Sequence, residues 1–124
     1  MSCLQIIRWQ AKGWMKMKKI DTVEKFEELV KTTDTFWLVK HSLTCPISAH
    51  AFDEYKQYEQ ENQEIDTYYL AVQEARPLSN YIAEKYQVRH ESPQALLFAD
   101  NNIVWHASHR KINIASLQKA VKEI

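Results

Sequence analysis

The stretch TFWLVKHSLTCPISAHAF, Thr35 to Phe52, decides how the chain is read. Its first half, TFWLVKHS, is short and mostly apolar, as expected of a strand buried on both faces. Pro46 suits the first turn of a helix, where its missing N–H costs nothing. The helix it opens is predicted to run to about Glu61 and to bury Ile47, Ala51, Phe52 and Tyr55. Between strand and helix stands Cys45, one of only two cysteines in the chain. The passage reads as a strand that delivers a thiol to a helix N-terminus.

On the N-terminal side, Thr22 can cap a helix over VEKFEELVK, whose Val23, Phe26, Leu29 and Val30 fall on one face. On the C-terminal side IDTYYLAVQ is a strand, and RPLSNYIAEKY a helix with Pro77 near its start. QALLFAD and IVWHAS follow as two strands. Asp100, Asn101 and Asn102 between them tolerate positive φ and so signal a hairpin. INIASLQKAVKEI closes the chain as an amphipathic helix with Ile112, Ile114, Leu117 and Val121 inward. The order α-β-α-β-α-β-β-α resembles the thioredoxin fold. We therefore expect an α/β protein with a central mixed four-stranded sheet flanked by helices. Right-handed β-α-β crossover would put Cys45 at the carboxyl end of a central strand, where open α/β sheets place their sites.

With 124 residues the length suits one domain. Sixteen basic and sixteen acidic residues leave no global field to draw nucleic acid or a membrane surface, and neither is expected as a partner. No apolar run approaches the roughly 20 residues that span a bilayer. Cys3 and Cys45 are far apart and form neither a disulfide framework nor a zinc pattern, and no metal or bound cofactor is expected. The reading is a cytoplasmic protein, a monomer, whose thiols stay reduced. The acidic run YEQENQEID reads as a solvated helix end, and Tyr55, Tyr58, Tyr68 and Tyr69 as core and rim aromatics.

Residues 1–16, MSCLQIIRWQAKGWMK, fit none of this pattern. They hold two of the four tryptophans and the only glycine, and show no period. Lys-Gly-Trp back-translates to a purine-rich run just upstream of two Met codons, as a ribosome-binding site read as protein would. Residues 1–16 are therefore expected to be an extension, translated leader or disordered, with residues 17–124 as the domain. Cys3 is given no resolving role.

Cys45 invites chemistry because free N–H groups and the dipole at a helix start favour an anion. Cysteines so placed have pKa values lowered to ~3.5–7.5, and the thiolate is the attacking species in thiol–disulfide exchange. Lys40, His41 and His50 lie near in sequence and could add positive charge, though nothing compels any of them to face the sulfur. Position 48 is Ser, giving Cys-Pro-Ile-Ser where a dithiol enzyme has Cys-x-x-Cys. The Ser48 hydroxyl could bond to the Cys45 thiolate but cannot resolve a disulfide, so chemistry here is monothiol. A cysteine before a helix is as often a small buried hydrophobe, and on this motif alone both readings stand.

A second run separates them. YQVRHESPQALLF, Tyr86 to Phe98, resembles the thioredoxin-family run Tyr-x-Ile-Arg-x-x-Pro-Thr and the strand after it. Arg89, Pro93 and Phe98 match, whereas Gln94 replaces the Thr and Glu91-Ser92 the usual apolar pair. The resemblance implies a cis Pro93 against the thiol, with Ser92 backbone groups meeting the bound partner. Thr44-Cys45-Pro46-Ile47-Ser48 together with WHASHRKI, Trp105 to Ile112, resembles the monothiol bacilliredoxins of the YtxJ type, over nearly all of 17–124. That resemblance implies an oxidoreductase that removes bacillithiol from S-bacillithiolated proteins through a mixed disulfide on Cys45, with bacillithiol as thiol co-substrate. It implies substrate contacts from Thr44, Pro46, Ser48, Ser92, Pro93 and His109, the last meeting carboxylates or tuning the sulfur. His41, His50, His90 and His106 are read as solvated or packing residues. Two rivals are a monothiol glutaredoxin-like protein using another small thiol, and a thioredoxin-fold adaptor with a structural cysteine. Against the first, the chain has no glycine after Gly13 for the usual Gly-Gly near the last helix.

One measurement checks the boundary at Met17. The protein made from its own gene should have an intact mass starting there; a mass starting at Met1 contradicts the leader reading.

Overall fold

A computed structural model of the protein describes residues 17–62 and 64–123; the segment read above as an extension, with Cys3, lies outside them. The elements are β1 (Lys18–Lys19), α1 (Val23–Thr32), β2 (Thr35–His41), α2 (Pro46–Glu61) and β3 (Asp66–Ala71). They continue with α3 (Arg76–Tyr86), β4 (Gln94–Ala99), β5 (Asn102–Ser108), a 3-10 turn (His109–Lys111) and α4 (Ile114–Lys122). The strands form one mixed sheet in the order β1-β3-β2-β4-β5. β1 and β2 run parallel to β3, while β4 is antiparallel to β2 and β5.

The thioredoxin-like α/β fold is therefore as read, with five strands where four were expected. The addition, β1, is a two-residue strand of exposed lysines beside Tyr68 and Tyr69. It has no apolar alternation that sequence periodicity could register.

Local chemistry sets the element ends. The Thr22 hydroxyl accepts the Lys25 N–H at 3.1 Å and caps α1, with Glu24 in its first turn and Lys31 in its last. Asp100 and Asn101 both take positive φ, 53° and 61°, which closes the β4–β5 hairpin in the sense that matches strand twist. Asn113 and Ser116 form a reciprocal capping box at the start of α4.

Strand alternation sorts the core onto two faces of the sheet. Phe36, Leu38, Leu96 and Phe98 point to one side and pack with Phe26 and Leu29 of α1 and Leu78 and Ile82 of α3. The cross-strand pair Phe36–Phe98 stacks at 4.7 Å, and Phe26 meets both rings edge-on. Trp37, Val39, Ala95 and Leu97 point the other way, against Ala51, Tyr55 and Tyr58 of α2 and Leu117 of α4. The Tyr55 hydroxyl donates to the Tyr68 carbonyl at 2.8 Å, so its burial leaves no orphan group.

Two side chains depart from the expected pattern on α2. Ile47 is exposed, because Ser48, Ala51, Tyr55 and Tyr58 form the buried stripe and Ile47 lies ~100° around the helix from Ser48. Glu59 extends that stripe and is buried, although its acidic surroundings read as solvated.

Lys40, near the end of β2, is the largest charged side chain in the interior, only 1% exposed. Its amine donates to the Ser79 carbonyl at 3.1 Å and lies 3.3 Å from His90 Nδ1. Burial pushes it down from 10.5 to about 8. The sign follows from proton counting: between those two values the unfolded chain binds the proton that the folded chain has lost. Stability should therefore rise with pH from about 8 to 10.5, by something on the order of 3 kcal/mol. Chemical denaturation across that range checks it: Lys40→Met should lose the rise, and parallel curves for the two proteins would refute it.

Candidate active site

Cys45 is the N-cap of α2, with Pro46 in the first helical position as expected. The Ala49 N–H closes the first helical bond on the Cys45 carbonyl at 3.0 Å. No side chain caps this helix start, and Pro46 has no N–H, which leaves the Ile47 and Ser48 N–H groups as the donors of the first turn. Cys45 is the one free thiol among the described residues, and it is half-buried. Around it Leu43, Thr44, Pro46 and Ile47 are exposed.

The second group of site residues arrives through strand register. Gln94 pairs with Lys40 across β2 and β4, so Pro93 reaches the strand end from which the Cys45 loop departs. The Ser92–Pro93 peptide is cis, as the thioredoxin-family pattern implies. The His109 N–H donates to the Pro93 carbonyl at 3.0 Å, and His109 holds φ 55°. That left-handed backbone sets His109 beside the proline loop at the head of the 3-10 turn. Thr44, Cys45, Pro46 and Ser48 thus lie on the loop and helix after β2, and Ser92, Pro93 and His109 at the start of β4 and the end of β5, all at the same end of the sheet.

Three features were not legible as site chemistry. Gln73, in the β3–α3 turn, clamps the segment before Cys45: its carbonyl accepts the Leu43 N–H at 3.0 Å. Its amide donates to the Ser42 and Thr44 hydroxyls at 3.0 and 3.4 Å. Second, His41 packs, as read, and has a polar partner besides. Its Nδ1 lies 2.9 Å from Ser48 Oγ, and its ring stacks on Phe52 at 4.3 Å. Burial, then Lys56, lower its pKa, with Asp53 opposing. Third, His90 is tied beneath the proline loop, its Nδ1 3.0 Å from Ser79 Oγ and close to Lys40. The Gln94 amide donates to the Arg89 carbonyl at 3.0 Å and braces the same loop from within. The Gln73 contacts join residues 29 to 31 positions apart. The His41–Ser48 and Gln94–Arg89 contacts, though only 7 and 5 apart, span loops and not a helical or strand period, so no periodic pattern announces them.

Ser48 is fully buried, and its oxygen accepts the Ser42 N–H at 2.8 Å while facing His41. Those are its partners among the described residues; the expected bond to Cys45 is not one of them. At the rim, Glu91 is held below the ordinary carboxylate range by the Ser108 hydroxyl and then by the charges of His109, Arg89 and His106. A carboxylate thus stands where the thioredoxin pattern has an apolar residue.

A thiol at a helix start, with a cis-proline loop at the same end of this sheet, is the arrangement of a thioredoxin-fold thiol oxidoreductase. The sequence pattern of one branch, monothiol bacilliredoxin BrxC, matches residues 18–117, and the chain belongs to that family. It is also similar to a solved structure assigned as a candidate oxidoreductase with a thioredoxin fold. The identity is 40% and the TM-score 0.82, covering 89% of this chain and 97% of the other. Mitochondrial thioredoxin 3 from Saccharomyces cerevisiae shares the fold at 17% identity and TM-score 0.71, over 90% of this chain and 99% of its own. A thioredoxin from Nicotiana alata does so at 11% identity and TM-score 0.70, over 87% and 91%.

The Gln73 clamp yields a prediction. Gln73→Ala should slow exchange of Cys45 with a small disulfide about tenfold, since misplacing a reacting atom costs rate steeply. It should lower stability by no more than about 1.5 kcal/mol. Gln73→Glu, which keeps the acceptor for the Leu43 N–H, should fall between. Stopped-flow exchange with parallel melting curves checks this, and an unchanged rate in the Ala variant would contradict it.

Proposed function

We propose that the protein removes bacillithiol from S-bacillithiolated client proteins by a monothiol mechanism carried by Cys45. The observation that carries the reading is Ser48. It occupies the position, one turn on from Cys45, where a dithiol enzyme keeps its resolving cysteine. A site with one thiol can accept a small thiol but must pass it to another molecule. Membership of the monothiol bacilliredoxin family points to bacillithiol as that small thiol.

The Cys45 thiolate attacks the bacillithiol sulfur of the client's mixed disulfide. The S–S bond to the client breaks, the client leaves as its thiolate, and bacillithiol is now disulfide-bonded to Cys45. Free bacillithiol then attacks the bacillithiol sulfur held on Cys45, releasing bacillithiol disulfide and the Cys45 thiolate. The Ile47 and Ser48 N–H groups favour the negative sulfur at both ends of the cycle. Thr44 and Pro46 flank the sulfur, while Pro93 and the Ser92 backbone hold the disulfide in line for attack. His109, fixed by its bond to the Pro93 carbonyl, meets the carboxylates of bacillithiol. The reaction needs no metal or bound cofactor, only bacillithiol as co-substrate, and we assign it to a monomer in the reducing cytoplasm. Among the described residues no helix is long and apolar enough to cross a membrane.

Incubation with a bacillithiolated client tests the reading. An adduct of bacillithiol mass should appear on Cys45 and be absent from Cys45→Ala. A glutathionylated client should transfer far more slowly. Transfer from neither client defeats the enzymatic reading, and transfer from the glutathionylated client alone favours a glutaredoxin-like activity.

A further inference from the structure

The chain is neutral overall, yet its charges are sorted along the sheet. At the end where β2 starts stand Asp34, Asp66 and Asp100, all exposed. The Asp100 N–H donates to the Asp34 carbonyl at 2.9 Å, and Asp66 opens β3 opposite Phe36. At the thiol end the sign reverses. Arg89 lies on the proline loop, His106 near the end of β5, and the 3-10 turn is His109-Arg110-Lys111; all five are exposed.

The acids beside these bases are already engaged. Glu91 is held by the Ser108 hydroxyl and feels His109, Arg89 and His106 at longer range. The Glu54 carboxylate of α2 accepts the Ile114 N–H at 3.1 Å. The ion pairs among the described residues use Lys19, Lys25, Lys56 and Lys85, and none uses Arg89, Arg110 or Lys111. Three permanent cations therefore face solvent here without a carboxylate in ion-pair reach. An excess of one sign attracts the other, and acts mainly on encounter rate and on choice of partner.

Register sets the distance to the thiol. Lys40, Gln94 and Ser108 stand in one row across β2, β4 and β5. Two strand spacings put Lys40 and Ser108 about 10 Å apart. The Cys45 loop departs from the end of β2, and the turn directly from the end of β5. That turn packs on α2, whose N-cap is Cys45, and Ile112 after it is buried with Ala51 of the same helix. An extended peptide advances about 3.3 Å per residue, so a side chain about three or four positions from a cysteine at the sulfur reaches the turn.

We propose that the 3-10 turn and Arg89 form a docking surface for client proteins, selecting those whose modified cysteine has acidic residues within about four positions. The exchange itself is the one given above: the Cys45 thiolate attacks the small-thiol sulfur, the S–S bond to the client breaks, and the client leaves as its thiolate. The inference rests on Cys45 being the exchanging thiol, as proposed above, and not on bacillithiol being the small thiol.

The test uses short peptides with a central cysteine bearing 2-mercaptoethanol as a mixed disulfide, flanked by Glu, Gln or Lys. Transfer to Cys45 of the full chain is timed, and each rate is divided by that of dithiothreitol with the same peptide, which removes intrinsic differences in reactivity. The acidic peptide should react about tenfold faster than the neutral one at low salt, and the basic one slower. The spread should close between about 20 and 500 mM salt as the exposed charges are screened. Arg110→Gln with Lys111→Gln should narrow it while leaving the neutral peptide's rate unchanged, and Arg110→Glu with Lys111→Glu should reverse the order. Equal normalised rates for the three peptides overturn the proposal, as does an order that survives the charge reversal. A salt-dependent gain from mercaptosuccinate on the neutral peptide, with none from the flanks, assigns the charges to the small thiol and also overturns it. Transfer from no peptide removes the enzymatic reading and this inference together, whereas equal transfer from all removes this inference alone.

Discussion

The antiparallel pairing of β2 with β4 is the constraint on which the rest of the structure depends. It opposes Phe36 to Phe98 and Lys40 to Gln94 in one continuous register. The first pair anchors the aromatic core on the α1 and α3 face. The second fixes where Pro93 falls relative to the departure of the Cys45 loop. A slip of one residue would turn Leu96 and Phe98 to the opposite face and carry the proline away from the thiol. The forces that fix the fold and those that assemble the site therefore act through the same ladder.

Around that ladder end the interior is unusually polar. Lys40, Ser48, Ser79 and Gln94 are each nearly inaccessible, and their bonds run to the loops that frame the site. Buried polar groups cost free energy unless satisfied, and when satisfied they specify one geometry. Here they tie the proline loop to α3 and the Cys45 loop to His41, while Gln73 clamps that loop from outside.

Much of this was legible in the sequence, for physical reasons that differ by residue. The unbroken apolar runs Phe36–Val39 and Ala95–Phe98 mark strands buried on both faces, and Pro46 and Asp100-Asn101 fix a helix start and a turn by backbone preference alone. The Pro93 run implied a cis proline because its pattern is specific, and the Ser92–Pro93 bond is cis. β1 escaped because two exposed lysines on an edge carry no hydrophobic signal. Ile47 and Glu59 were misread because the rotation of α2 on the sheet decides which residues go inward, and Ser48 and Ala51 set that rotation. His41 and Gln73 are ordinary residues until the tertiary fold brings Ser48 and the 42–44 segment against them.

The central claim is that this site carries a small thiol and does not resolve it internally. Intact-mass and peptide mapping of the full chain after reaction with excess low-molecular-weight disulfide is the most direct measurement. The account predicts a single adduct on Cys45 that persists until an external thiol is added. Spontaneous loss of the adduct with formation of an internal disulfide between Cys3 and Cys45 would contradict it.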